Sequence, residues 1–288
     1  MAQHPDVRGF FDPATHTITY LVSDPATGMA AIIDPVLDYE PATARTSTTS
    51  VDLVLEALRA AGLTLAVVLE THAHADHLTA ADHLRVAEGV AIGIGNEITQ
   101  VQSTFAPLFN ATDVTPDGHA FDHLYGDGDV FPLGSLSVEV IHTPGHTPAC
   151  VSYRIGDALF TGDTLFMPDY GTARADFPGG DARTLYRSIQ KLLALPRDTR
   201  IFVGHDYLPE GRSDYRFETT VAEQSDGNIH VGGSKSEDAF VSMRETRDAT
   251  LNAPTLILPS LQVNIRAGGL PPPDLDGHRY LRMPLNVL

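Results

Sequence analysis

Four potential metal ligands fall within six residues at His72-Ala73-His74-Ala75-Asp76-His77, a density that few architectures can accommodate. Imidazole nitrogens and carboxylate oxygens bind borderline cations such as Zn(II) and Fe(II), and three or four must converge within about 2.0 to 2.2 Å of the ion. A coil can fan the four groups around one centre or around two adjacent ones. Residues 65–69, immediately before, have the apolar character and length of a buried strand, and residues 78–87, immediately after, read as a helix. The cluster therefore occupies a strand-to-helix loop, where α/β layers place their chemistry.

The same arrangement recurs along the chain. Alternation predicts a strand over 17–23, a turn at Asp24-Pro25-Ala26-Thr27-Gly28 and a second strand over 29–33, a hairpin that opens a sheet. Val51, Val54, Leu55 and Leu58 have helical spacing, and Gly62 ends that helix. Further strands are predicted over 137–141, 149–155 and 157–161, then a helix over 181–195, then a strand over 200–203 that runs into Gly204-His205-Asp206. Each polar cluster sits at the end of an apolar strand, as expected for one site assembled on a sheet edge. Residues 212–237 are polar and Gly-containing and read as a long loop. Gly268-Gly269 and Pro271-Pro272-Pro273 suggest an extended tail packed on the body. The expectation is one domain over 1–288, with a C-terminal extension from about residue 212.

Composition narrows the chemistry. A net charge of −18 would repel a phosphate backbone and argues against nucleic acid as a partner. No apolar run approaches the roughly 20 residues of a membrane span, and the start Met1-Ala2-Gln3-His4-Pro5-Asp6 lacks a basic and an apolar signal region; a cytoplasmic protein without membrane contact is expected. The single cysteine, Cys150, rules out an intramolecular disulfide and a Cys-rich zinc site, leaving histidine and carboxylate as ligands. In Ala149-Cys150-Val151-Ser152-Tyr153 it reads as a small buried hydrophobe.

Three further segments, His142-Thr143-Pro144-Gly145-His146-Thr147, Phe160-Thr161-Gly162-Asp163-Thr164 and Val203-Gly204-His205-Asp206, follow in an order and in strand contexts that resemble the metallo-β-lactamase superfamily. The resemblance spans roughly residues 15 to 210. It implies an α/β fold, the αββα sandwich of two facing β-sheets flanked by helices, with the site at one edge. In the two-zinc layout of that family, His72, His74 and His146 would take the first metal, Asp76, His77 and His205 the second, and Asp163 would lie between them.

Within the superfamily the wording is closer to the persulfide dioxygenases, also called sulfur dioxygenases. Thr71-His72-Ala73-His74-Ala75-Asp76-His77 resembles their first motif, Gly171-Thr172-Ala173-Arg174-Ala175-Asp176-Phe177 their Gly-x-x-Arg-x-Asp-Phe segment, Gly204-His205-Asp206-Tyr207 their His-Asp-Tyr, and Asn264-Ile265-Arg266 their C-terminal Asn-x-Arg. This resemblance implies one Fe(II) held by His72, His146 and Asp163, with His74, Asp76, His77 and His205 around it. Such a protein would oxidise a small-molecule persulfide, glutathione persulfide or a relative, with O2 to sulfite and thiol. Arg174 would balance negative charge and Tyr207 would hydrogen-bond to substrate or oxygen. A homodimer is expected on the same ground.

The alternative is a glyoxalase II-like hydrolase of thioesters or lactones with two Zn(II), all seven of whose ligands are present. A non-catalytic metal-binding or redox-sensing protein is a third reading, which no flavodoxin-like segment supports. The chain also departs from the glutathione-binding pattern: Glu223-Gln224-Ser225-Asp226-Gly227-Asn228-Ile229-His230 stands where those relatives carry Asn-Pro-Arg, and no cysteine follows Arg266. Lys235 could meet a substrate carboxylate but reads as a solvated surface charge. Arg174 could instead pair with Asp176 or Asp169, and Tyr207 could simply pack. His142 reads as structural, and His16, His83, His119, His123, His230 and His278 as surface or hydrogen-bonded residues.

Overall fold

The computed structural model describes residues 4–287; Met1–Gln3, part of the segment read for a signal, and Leu288 lie outside the described residues. The first half contains β1 (Asp6–Phe11), β2 (Ile18–Ser23), β3 (Met29–Ile33), β4 (Val36–Glu40), β5 (Arg45–Ser47), α1 (Thr49–Ala60), β6 (Thr64–Leu69), β7 (Leu78–Thr79), α2 (Ala81–Glu88), β8 (Ala91–Gly95), α3 (Ile98–Leu108) and β9 (His123–Tyr125). The second contains β10 (Val130–Leu133), β11 (Leu136–His142), β12 (Val151–Ile155), β13 (Ala158–Phe160), α4 (Ala182–Leu193), β14 (Arg200–Phe202), β15 (Glu218–Thr220), α5 (Val221–Gly227), α6 (Glu237–Asp248) and α7 (Ile257–Asn264).

Two six-stranded sheets, in the orders β1-β2-β3-β6-β8-β9 and β10-β11-β12-β13-β14-β15, pack face to face, and β5-β4-β7 form a small third sheet. Burial separates three apolar layers. Ile18, Tyr20, Val22, Ile33 and Leu69 meet Val138, Val140, Tyr153, Phe160 and Phe202 between the sheets. Leu21, Ile32 and Val68, on the opposite face of the same strands, pack under α1, α2 and α3 with Val54, Leu58, Leu84 and Phe105. Leu159 and Ile201 meet Leu185, Ile189, Leu192 of α4 and Phe240 of α6. A strand covered on both faces buries every residue, as β2 does throughout. The αββα sandwich expected from sequence is the fold observed. None of its helices is long and apolar enough to cross a membrane, among the described residues.

Two local expectations are corrected. Residues 78–87 are not helical from the start: Leu78–Thr79 pairs with β4, and the helix begins at Ala81. Residues 212–237 are not one long loop, because Glu218–Thr220 adds an edge strand to the second sheet and Val221–Gly227 is helical. The sequence carried that signal: Thr220 and Glu223 form a reciprocal capping box, side chain to backbone in both directions. The tail after Gly268 is extended, as expected; ahead of it, Ser236 caps α6, whose buried Phe240 joins the layer under α4, and α7 packs on β7.

Candidate metal centre

The strand-end clusters converge as expected. β6 leads into His72, His74, Asp76 and His77, β11 leads toward His146, β13 toward Asp163, and β14 toward His205. Ligand atoms of His72, His146 and Asp163 lie within 4.8 Å of one another, as do those of His74, Asp76 and His77. His146 Nε2 is 3.7 Å from Asp163 Oδ2, and His205 Nε2 is 3.3 Å from both Asp76 Oδ2 and Asp163 Oδ1. The close approach of the 160–164 turn to the 71–77 loop requires Gly162: its φ of +46° is left-handed, and a Cβ there would collide with Thr71 Oγ1.

Four of these imidazoles, those of His72, His77, His146 and His205, have a neighbour at Nδ1. His146 Nδ1 donates to the Arg174 carbonyl at 2.8 Å and His77 Nδ1 to the Leu78 carbonyl at 3.0 Å. Thr71 Oγ1 donates its proton to Asp34 Oδ2 at 2.7 Å, so it must accept from His72 Nδ1, 3.0 Å away. His205 Nδ1 stands 3.4 Å from Thr17 Oγ1. The tautomers assigned by this network leave the Nε2 lone pairs of His72, His77 and His146 free. Burial, reinforced by neighbouring imidazoles, pushes the His72 pKa well below the usual histidine value and that of His77 down to about 4, keeping both neutral.

The Nε2 atoms of His72, His74, His77 and His205, together with His74 Nδ1, Asp76 Oδ2 and Asp163 Oδ1, are buried without a hydrogen-bond partner among the described residues. An unpartnered buried polar atom costs about 1–3 kcal/mol. A cation coordinated by imidazole and carboxylate removes that cost for the atoms that bind it, so the donor set fits a metal cofactor.

His74 behaves differently from the other histidines. Its Nε2 lies 3.1 Å from Asp34 Oδ1 and 3.3 Å from Glu70 Oε2, with all three side chains buried. Burial opposes its charge, yet the two carboxylates raise its pKa well above the usual value. Burial in turn pushes Glu70 up to about 7. Neither acid was singled out from the sequence, where Asp34 looks like a turn residue after β3 and Glu70 like the end of β6. Asn264 on α7 locks the loop from behind: its amide donates to the carbonyls of His74 and His77, both at 2.8 Å, and accepts from Thr79 N at 2.9 Å.

A cavity of about 1010 Å³ opens beside Asp76, His77, His146 and Asp163 and is walled by Phe166, Tyr170, Phe177 and Tyr207. Tyr207 makes no hydrogen bond through its hydroxyl among the described residues. Burial, with Asp163 and Asp76 nearby, raises its pKa well above the usual value, so it remains a donor. Arg174 also reaches the wall, but its guanidinium is engaged: Asp176 takes two bonds at 2.6 and 2.7 Å and the Asn252 carbonyl a third at 2.7 Å. The Asp176 pairing considered from sequence is thus present, and it offsets the charge that Arg174 was expected to offer a substrate.

His16 departs from the expected surface or hydrogen-bonded role. It lines the cavity, its φ of +61° is left-handed, and its buried Nδ1 has no partner among the described residues. His230 is buried and accepts from Thr172 N at 3.0 Å, and His142 Nε2 bonds to the Pro148 carbonyl at 2.8 Å, in keeping with structural roles. Lys235 lies off the cavity, donating to the Ile229 carbonyl. Cys150 is 2% exposed and burial pushes its thiol up to about 12, an inert residue.

The profile of the Metallo-beta-lactamase superfamily matches residues 14–205. A Burkholderia pseudomallei protein named as a metallo-hydrolase is 52% identical over 98% of this chain and 99% of its own length. Glyoxylase B2 of Dictyostelium discoideum is 45% identical over 100% of this chain and 99% of its own. The human mitochondrial persulfide dioxygenase ETHE1 is 34% identical over 70% of this chain and 68% of its own. Among solved structures, ETHE1 from Myxococcus xanthus superposes with a TM-score of 0.73 at 33% identity, covering 92% of this chain and 100% of that one. With its His and Asp groups gathered at the sheet edge and the profile matching well over half its length, the chain belongs to the metallo-β-lactamase superfamily.

Proposed function

We propose that the chain is an Fe(II)-dependent dioxygenase that converts a low-molecular-weight persulfide, O2 and water to a thiol and sulfite. The observation that carries this reading is the placement of His74 Nε2 beside the buried Asp34 and Glu70 carboxylates, at 3.1 and 3.3 Å. Among the described residues, the ligand atoms grouped with that of His72 are those of His146 and Asp163. Two imidazoles and one carboxylate would hold a single ferrous ion, which supplies open positions for O2 and a thiolate sulfur.

The remaining residues prepare the cavity for that chemistry. Phe166, Tyr170 and Phe177 supply an apolar wall that limits water around the reacting sulfur. Tyr207, protonated and unpartnered, offers a hydrogen bond to the substrate or to oxygen. In the balanced reaction the terminal sulfur loses four electrons and O2 gains them; both dioxygen atoms and the oxygen of one water end in sulfite, and the other sulfur leaves as thiol.

A two-zinc hydrolase is the second reading. It is favoured by the unpartnered atoms of Asp76, His77 and His205, which offer a second donor set beside Asp163, and by the likeness to Glyoxylase B2. Anaerobic purification with metal analysis, followed by oxygen-electrode assay on glutathione persulfide with and without added Fe(II), separates the two. Oxygen uptake that tracks iron and yields sulfite is the expected result. Two zinc ions per chain, no uptake and cleavage of a glutathione thioester would overturn it.

A further inference from the structure

The 174–175 peptide bond joins the metal centre to α6. Its carbonyl, that of Arg174, accepts from His146 Nδ1 at 2.8 Å, and its N–H, that of Ala175, donates to Asp248 Oδ2 at 2.8 Å. Because a trans peptide is planar, its C=O and N–H point in opposite directions, so one rigid unit lies between the carboxylate and the imidazole. Asp248 is 5% exposed and carries a second load: Arg244, 1% exposed, donates Nε to Asp248 Oδ1 at 2.9 Å and Nη1 to the Thr172 carbonyl at 3.1 Å. The loop is thus held at residues 172 and 175, on either side of Arg174. His230, against which Gly171 packs, accepts from Thr172 N and completes the clamp.

We propose that Asp248 is a positioning residue for the metal centre: through the 174–175 peptide it orients His146 and strengthens it as a donor, with Arg244 fixing Asp248 in place. The relay runs from the Asp248 carboxylate through the Ala175 N–H and Arg174 C=O to the His146 Nδ1–H. Metal-bound histidines commonly give their second nitrogen to a carboxylate or a carbonyl; here a carboxylate acts through a carbonyl. A charged acceptor on the N–H polarises the peptide, makes its carbonyl a better acceptor, and so raises electron density at His146 Nε2.

Stability alone gives little reason for such a pair. Taking two charges out of water costs several kcal/mol per ion, and apolar replacements of buried ion pairs are often neutral or stabilising. The pair sits on α6, outside residues 14–205 that match the superfamily, so the C-terminal segment of this chain supplies it. The proposal rests on His146 being a ligand, which both functional readings share.

The test uses the apo protein titrated with Co(II), followed by its visible d–d absorption, with folding checked by circular dichroism. His146→Ala is the reference and should lose affinity by more than about a hundredfold. Asp248→Asn keeps the shape and an acceptor oxygen but removes the charge; it should weaken Co(II) binding by about tenfold and shift the d–d bands, and Asp248→Ala should weaken binding further. In metal-free protein with 15N-labelled histidine, the His146 Nδ1–H proton resonance should move upfield in Asp248→Asn, a readout that does not require Asp248→Ala to fold. Wild-type affinity, bands and Nδ1–H shift in Asp248→Asn, with His146→Ala impaired, would overturn the relay. Unchanged affinity in His146→Ala would instead overturn the ligand assignment beneath it.

Discussion

The ring of Tyr207 stacks on that of His205, with centroids 5.4 Å apart and planes 16° from parallel. Phe166 meets both edge-on, at 6.0 Å from His205 and 5.7 Å from Tyr207. The ring is therefore held by packing alone, and the hydroxyl is left for a ligand. Removing only the oxygen should leave the wall intact. Tyr207→Phe should retain full metal content while kcat/KM falls by about tenfold, the loss of one hydrogen bond to a charged partner at about 1.5 kcal/mol. Metal analysis and steady-state assay on one preparation check both parts.

His72 tests the ligand set directly. Its Nδ1 is committed to Thr71, so Nε2 is the atom available to a cation. His72→Ala should abolish bound metal and activity together. His142→Ala, which removes a ring bonded through Nε2 to the Pro148 carbonyl, should keep both. Full activity in His72→Ala would show that the centre lies elsewhere.

Much of this site was legible because its ligands lie at strand ends, where a polar cluster interrupts an apolar run. His72, Asp163 and His205 announce themselves that way. The supporting residues do not. Asp34 and Glu70 reach His74 from the ends of β3 and β6, neighbours through a parallel register that no local pattern encodes. Arg244 and Asp248 look like an exposed i, i+4 pair on a polar helix, and they are buried only because α6 packs against α4 and the 171–177 loop. Asn264 was noticed by resemblance, but its hold on two carbonyls of the metal loop becomes visible only once α7 is placed beside β7. His16 was read as ordinary because a left-handed backbone at a non-glycine residue has no sequence signature.

The loop that carries Arg174 should respond to acid independently of metal. Burial, aided by the nearby Arg244, lowers the His230 pKa to about 4, and its Nδ1 accepts from Thr172 N, a bond only the neutral ring can make. The unfolded chain, with an ordinary histidine near 6.5, binds more protons than the folded one between about pH 6.5 and 4. Stability is therefore complete above that window and is lost as pH falls through it, by about 1–2 kcal/mol after solvent screening. His230→Gln should be less stable at pH 7.5 and show a flatter decline. Denaturant midpoints of the apo proteins at pH 7.5 and 5 measure the difference.

Substrate charge should be read by two arginines at the cavity mouth. Arg45 on β5 and Arg247 on α6 both line the cavity and are exposed, and neither has a carboxylate partner among the described residues. Arg247 instead lies over the Tyr170 ring, 5.8 Å from its centroid. In a chain of net charge −18, anions are repelled at long range, so unpaired local cations matter for their capture. The Arg45→Ala, Arg247→Ala double variant should raise KM for glutathione persulfide several-fold at low salt with little change in kcat, because exposed charges act on binding rather than on the reacting sulfur. A persulfide without carboxylates should be turned over equally by wild type and variant. Added salt should narrow the difference for the anionic substrate, since screening weakens in the wild type what the variant already lacks. An equal rise in KM for both substrates would point to altered cavity shape, and would remove these arginines from substrate recognition.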